Sequence, residues 1–125
     1  MSILNRFSLL KRNALVTGAG QGIGRSLAFA LAEAGANVAV VDRNGDTAKQ
    51  TAQEISALGV ESIAIETDVT QTDQVNHMVD QVTSKWGTLD IAVNNAGIAI
   101  RSPAENIPDE EWDAVLNVNL KAVYL

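Results

Sequence analysis

Residues 13–28 read NALVTGAGQGIGRSLA. A short apolar strand-like run leads into four glycines, Gly18, Gly20, Gly22 and Gly24, and these lead directly into a stretch of helical character. A glycine cluster at such a junction has two readings. It is a tight turn needing backbone angles that a Cβ forbids, or it is a loop whose bare backbone and following helix amino-terminus receive a phosphate. The spacing Gly18-x-x-x-Gly22-x-Gly24, with Gly20 between, is not the common G-x-G-x-x-G string. The choice therefore rests on the surroundings.

The strand pattern recurs as ALVTG at 14–18, NVAVVD at 37–42, SIAIETD at 62–68 and LDIAVNN at 89–95, with helical patterns between. Such alternation predicts an α/β fold, a Rossmann-type doubly wound parallel sheet covered on both faces. After the glycines, Ile23, Leu27, Ala30, Leu31 and Ala34 recur at helical spacing and are expected to face the core, with Gly35 as the stop. Ala48, Ala52, Ile55 and Leu58 form a narrower stripe before Gly59. Thr70-x-x-Asp73 reads as a capping-box variant, opening a helix whose apolar face is Val75, Met78, Val79, Val82 and Trp86 and which Gly87 closes. Pro108, followed by Asp109, Glu110 and Glu111, opens a last helix with acids near its positive end. Its apolar stripe is Trp112, Val115, Leu116 and Val123. One domain over residues 1–125 is expected, cut within that helix.

Composition narrows the function. A net charge of −6 gives no long-range attraction to nucleic acid or an anionic membrane, so neither is an expected partner. No apolar run approaches the roughly eighteen residues of a membrane span, and the start MSILNRFSLLKRN lacks the plan of a secretory signal, so a cytoplasmic protein is expected. The absence of cysteine removes disulfides, thiolate metal sites and cysteine nucleophiles, and no metal site is expected. His77, the only histidine, falls off the apolar face of its helix and reads as a solvated residue rather than a general base.

Asp42 closes the second strand about 20 residues beyond the glycines, where a carboxylate accepts hydrogen bonds from an adenosine ribose and repels a 2′-phosphate. That favours NAD over NADP. Thr17-Gly18-Ala19-Gly20-Gln21-Gly22-Ile23-Gly24, Asp68-Val69 and Asn94-Asn95-Ala96-Gly97 stand at the ends of the first, third and fourth strands. In these three motifs the chain resembles the short-chain dehydrogenase/reductase family over nearly its whole length. The resemblance implies strand order 3-2-1-4 and a pyrophosphate along Gly18, Gly22, Ile23 and Gly24, with Gly20 and Gln21 in the same loop. It implies a ribose at Asp42 and Arg43, an adenine at Asp68 and Val69, and the middle of the dinucleotide along Asn94, Asn95, Ala96, Gly97 and Val118. Gln21 stands where NADP users of the family often carry a basic residue, which again leans towards NAD; Arg43 leaves NADP open. Asn119, in NVNLKAVYL, matches the asparagine of the family's Asn-Ser-Tyr-Lys tetrad.

Plainer readings stand beside these. Asp68 is also placed to cap the following helix, Asn94 and Asn95 are also turn formers, and Asn119, on the apolar stripe, is also a packing fixture. Ser102-Pro103 either borders a substrate opening or is loop punctuation.

The family's chemistry moves a hydride between a carbinol or carbonyl carbon and a nicotinamide, with a tyrosine as acid or base, a lysine four residues later and a serine on the substrate oxygen. The only tyrosine, Tyr124, is followed by Leu125 alone, so Tyr-x-x-x-Lys does not fit within these residues. The resemblance thus implies a longer chain carrying the serine, tyrosine and lysine, a homodimer or homotetramer, and inactivity of residues 1–125 alone. The expected function is an NAD(H)-dependent oxidoreductase interconverting a secondary alcohol and a ketone of polyol, sugar or 3-oxoacyl type. The alternatives are a non-catalytic dinucleotide-binding module or redox sensor, and a protein whose glycine loop is vestigial.

Overall fold

A computed structural model describes residues 2–125. Its centre is strand β1 (Asn13–Thr17), every residue of which is buried, as suits an apolar run covered on both faces. β1 pairs in parallel with β2 (Asn37–Asp42) on one side and with β4 (Ile91–Val93) on the other, while β2 pairs in parallel with β3 (Ser62–Glu66). The order is β3-β2-β1-β4, as expected. Registers set Thr17 against Val41, Val41 against Ile65 and Val16 against Val93, so the carboxyl ends align along one edge. Because the winding reverses between β1 and β4, a crevice opens there.

A short α1 (Ile3–Arg6) precedes the sheet, and the crossovers are α2 (Gly22–Glu33), α3 (Gly45–Ser56) and α4 (Thr72–Trp86). Alternation along the strands divides the core in two. Val16, Val38 and Val40 pack with Ala28 and Ala32 of α2 and with Ala48, Ala52 and Ile55 of α3. On the opposite face Leu15, Ala39, Val41 and Ile65 meet Val75, Met78 and Val82 of α4.

Several local expectations need correction. The buried line of α2 is Gly24, Ala28 and Ala32, whereas Ile23 is 75% exposed and Leu27 lies at the surface. Small residues win this face because α2 approaches the sheet closely. Leu58 lies beyond the end of α3 and is exposed. The capping box does not form: Gln71 precedes α4 without a side-chain cap, and the Thr70 hydroxyl donates to Asp68 Oδ1 instead. The third and fourth strands are shorter than their apolar runs. The Asp68 amide goes to the Gln74 side chain and the Asn95 amide to the Thr17 hydroxyl, which takes both residues out of the ladder.

The expected last helix is three pieces: α5 (Asp109–Leu116), a π-helical segment (Asn117–Lys121) and α6 (Ala122–Tyr124). Trp112, Leu116 and Val123 of its apolar stripe are exposed, and the partly covered positions are Glu111, Ala114, Val115, Val118 and Ala122. The covered positions keep ordinary helical spacing but lie on the face beside the larger residues, so most of the apolar stripe points away from the body of the protein.

At the amino ends of the strands, the Asn13 amide donates to Asp90 Oδ2 (2.8 Å) and its side chain donates to Thr88 Oγ1 (3.0 Å). Asn13 Oδ1 accepts from Asn37 Nδ2 (3.1 Å), so the sheet is pinned at the end opposite the crevice.

Leu15 is 2% exposed and Leu58 45% exposed. Leu15→Ala is expected to lower unfolding free energy by about 2–5 kcal/mol, and Leu58→Ala by about 0.5 kcal/mol or less, in urea titrations. Equal effects would contradict this placement of the core.

Candidate functional site

The site grows from the turn after β1. Gly22 has φ +60°, a left-handed conformation that glycine takes without strain, and a Cβ there would meet nothing within 4 Å. A Cβ on Gly24 would lie 2.2 Å from the Gly18 carbonyl oxygen, so only glycine lets α2 begin this close to the loop. Gln21 caps α2 without a side-chain hydrogen bond, which leaves the first amides of the helix facing outwards. An open floor with free donors results.

The second wall comes from the turn after β4. Asn95 Nδ2 donates to the carbonyls of Thr17 (3.0 Å) and Gly18 (3.3 Å), and the Thr17 hydroxyl accepts from the amides of Asn95 (3.1 Å) and Ala96 (3.0 Å). Asn95 is therefore more than a turn former: it staples one loop to the other. The side chain of Asn94 is not part of this junction. It borders a separate, mostly apolar cavity of about 180 Å³ between the sheet and α4.

Two carboxylates stand at the far end. Asp42 accepts from the Gly20 amide through Oδ2 (2.8 Å) and from the Asn44 amide through Oδ1 (2.9 Å). Asp68 Oδ1 accepts from the Thr70 hydroxyl (2.6 Å) and the Thr70 amide (3.0 Å). The hydroxyl and then the amide hold the Asp68 carboxyl below the usual carboxylate range, helped by the Arg43 guanidinium and opposed by partial burial. Its partners lie within its own turn, so the reading of Asp68 as the cap of α4 does not hold.

Asn119 lies in the π-helical segment. Its Oδ1 accepts from the Ile98 amide (2.8 Å) and its Nδ2 donates to the Ile98 carbonyl (2.9 Å). The side chain is exposed rather than buried, yet both its polar atoms are satisfied by one residue of the loop after β4. The same loop is tied to α5 by Ser102, whose hydroxyl donates to the Glu111 carboxylate. Ser102 is thus more than punctuation, and Glu111 has a partner besides the helix dipole.

Between these walls lies a cleft of about 690 Å³. Gly18, Gln21, Gly22, Ile23 and Gly24 border it, with Asp42, Arg43, Asp68 and Val69 at one end and Asn95, Ala96, Gly97 and Val118 further along. Gly20, Asn94 and Asn119 of the expected set do not line it. Val41, Thr67, Thr70, Ile98, Ala114 and Asn117 also line it and were missed. Thr70 carried a signal, since a threonine two positions after an aspartate favours a side-chain-bonded turn. Ala114 on α5 and Asn117 in the π-helical segment carried none, because neither falls on the apolar stripe from which that helix was read. His77 is exposed on α4 beside Gln81. Among the described residues no group of histidines and acids is placed to hold a metal ion, and no helix is long and apolar enough to cross a membrane.

The model of the short chain dehydrogenase family matches residues 12–125. The chain belongs to that family. Its members are oxidoreductases that bind a nicotinamide dinucleotide and act on small molecules. A 3-oxoacyl-[acyl-carrier-protein] reductase FabG of Staphylococcus epidermidis is 46% identical over 116 residues, which is 92% of this chain and 48% of that protein. A short-chain type dehydrogenase/reductase of Mycobacterium marinum superposes with TM-score 0.95 at 44% identity, over 99% of this chain and 50% of that one. A 3-ketoacyl-(acyl-carrier-protein) reductase of Brucella melitensis, solved with NADH, superposes with TM-score 0.88 at 39% identity, over 94% of this chain and 48% of that one. The chain spans about half the length of the relatives it matches.

The lowered Asp68 carboxyl has a stability consequence. Its contribution is fully present above the unfolded carboxylate value of about 4 and is lost as pH falls through the lower folded value. In urea titrations the stability gap between wild type and Asp68→Ala is therefore expected to be constant near neutrality and to shrink below about pH 4. A gap that widens on acidification would reverse the assignment.

Proposed function

We propose that residues 1–125 form the dinucleotide-binding domain of an NAD(H)-dependent oxidoreductase that interconverts a secondary alcohol and a ketone. The observation that carries this reading is Asp42, a carboxylate oriented by two main-chain amides at one end of a cleft whose floor is an open glycine turn. The cleft volume falls within the range of small-ligand sites, and the chemistry of its two ends fits the two ends of a dinucleotide.

In this reading the amides around Gly18, Gln21, Gly22, Ile23 and Gly24 hold the pyrophosphate at the start of α2. Asp42 accepts the adenosine ribose hydroxyls, with Arg43 beside it at the rim. Asp68 and Val69 border the adenine, the Asp68 amide and carboxylate being held by Gln74 and Thr70. Asn95 keeps the two loops at a fixed spacing, and Ala96, Gly97 and Val118 flank the path towards the nicotinamide. The bound nicotinamide supplies the hydride acceptor or donor. Asn119 is a positioning residue here: by gripping Ile98 through both main-chain polar atoms, it fixes the cleft wall beside Gly97, whose Cβ position lies 3.3 Å from Asn119 Oδ1. Asn94, which borders the other cavity, is not given a cofactor contact.

The relatives named as 3-oxoacyl-carrier-protein reductases support a 3-oxoacyl-type ketone as the substrate class. The exposed Trp112, Leu116, Leu120 and Val123 on the last helical segments support assembly with another copy of the chain.

Fluorescence titration with NADH and NADPH tests the cofactor reading. Tighter binding of NADH is expected. Asp42→Ala is expected to weaken NADH by about 10–100-fold, matching about 1.5–3 kcal/mol for hydrogen bonds to a charged group, and to narrow the gap to NADPH. Unchanged affinity for both would remove Asp42 from the ribose.

A further inference from the structure

We propose that cofactor discrimination is set behind the cleft, by a lock in which the Gly20 amide holds the Asp42 carboxylate in one orientation and Thr47 closes the space beside Gly20. The inference rests on the reading of the cleft as a dinucleotide site and adds the residues that make the ribose end selective. Neither Gly20 nor Thr47 lines the cleft.

Gly20 is not in a left-handed conformation, so its identity is not demanded by backbone angles. It is demanded by space. A Cβ on Gly20 would lie 2.3 Å from Thr47 Oγ1 and 2.8 Å from Asp42 Oδ2. The residue is also bonded in both directions. Its amide donates to Asp42 Oδ2 (2.8 Å), and its carbonyl accepts from Thr51 Oγ1 (3.3 Å), a side chain 1% exposed. Thr47 and Thr51 are one helical turn apart on α3, so a single face of that helix bonds the Gly20 carbonyl through Thr51 and closes the space beside its Cα through Thr47.

The other carboxylate oxygen is held from the same helix. Asp42 Oδ1 accepts from the Asn44 amide (2.9 Å), and Asn44 caps α3 by accepting from the amides of Asp46 (3.1 Å) and Thr47 (3.3 Å). The Thr47 hydroxyl returns to the Asn44 carbonyl (3.1 Å). Rotation of the carboxylate breaks a main-chain bond at each oxygen.

Acceptor capacity then gives the selectivity. An ionised carboxylate offers about four lone-pair sites, and the Gly20 and Asn44 amides occupy one on each oxygen. One site per oxygen remains, which suits a pair of adjacent hydroxyl donors. A 2′-phosphate brings negative charge where the carboxylate has no freedom to turn aside. A methyl group at position 20 displaces either the carboxylate or the Thr47 hydroxyl, and the lock loosens.

The test is the ratio of NADH to NADPH affinity, measured by fluorescence titration on the full chain for wild type, Gly20→Ala, Thr47→Ala and the double variant. Gly20→Ala is expected to weaken NADH about tenfold while NADPH changes by less than about threefold. In the double variant the 2.3 Å contact is gone, so part of the ratio is recovered and the two effects are non-additive. If Gly20→Ala does not fold, the double variant compared with Thr47→Ala gives the same readout, with a lower ratio expected. Parallel loss of both cofactors, or an unchanged ratio, overturns the lock while leaving the dinucleotide reading in place. Failure of the wild type to bind either cofactor overturns the dinucleotide reading itself.

Discussion

The hydroxyl of Thr17 is the joint on which the cleft depends. It ends the central strand and accepts two amide protons from the chain leaving β4, at the point where the winding of the sheet reverses. A parallel sheet alone would leave two loops diverging from neighbouring strands. The hydroxyl, with Asn95 Nδ2 bonded to the carbonyls of Thr17 and Gly18, converts them into facing walls. The buried sheet below supplies rigidity, so the opening is set by these few polar contacts rather than by the mobility of loops.

The two ends of the cleft are organised by different means. At the acidic end each carboxylate is bound by donors close in sequence or by the glycine loop, and Asp68 is drawn below the ordinary carboxylate range by Thr70. At the other end the main chain of Ile98 is gripped by an amide from a distant helix. Local turns preorganise one end, and a long-range bond spaces the other. Both strategies satisfy polar groups that a ligand would otherwise have to satisfy as it bound.

Much of this was legible in the sequence for a physical reason. Runs such as ALVTG and NVAVVD are apolar and β-branched because a parallel strand is covered on both faces, and that signal survives without context. The glycine turn and Asp42 were legible because their spacing reflects the length of one strand-helix-strand unit. What escaped depended on contacts between distant residues. Hydrophobic spacing chose Ile23 and Leu27 for the core, whereas the closeness of α2 to the sheet selected Gly24, Ala28 and Ala32. Thr70 and Asp73 have the right spacing for a capping box, but Asp68 claims the hydroxyl first. The lining positions Ala114 and Asn117 depend on how the last helical segments lie against the loop after β4, which no residue type announces.

The π-helical segment lies where the end of the chain passes from one space to another. Before and within it, Ala114, Asn117 and Val118 line the large cleft; beyond it, Ala122, Val123 and Leu125 line the small apolar cavity beside α4. Ala114, Val118, Ala122 and Leu125 follow one another at helical spacing, so a single face of the rod serves both spaces along its length. Residue count between Leu116 and Ala122 is in this sense a structural parameter in its own right: a change of one residue there would rotate the downstream side chains out of their cavity, even if every remaining residue were kept.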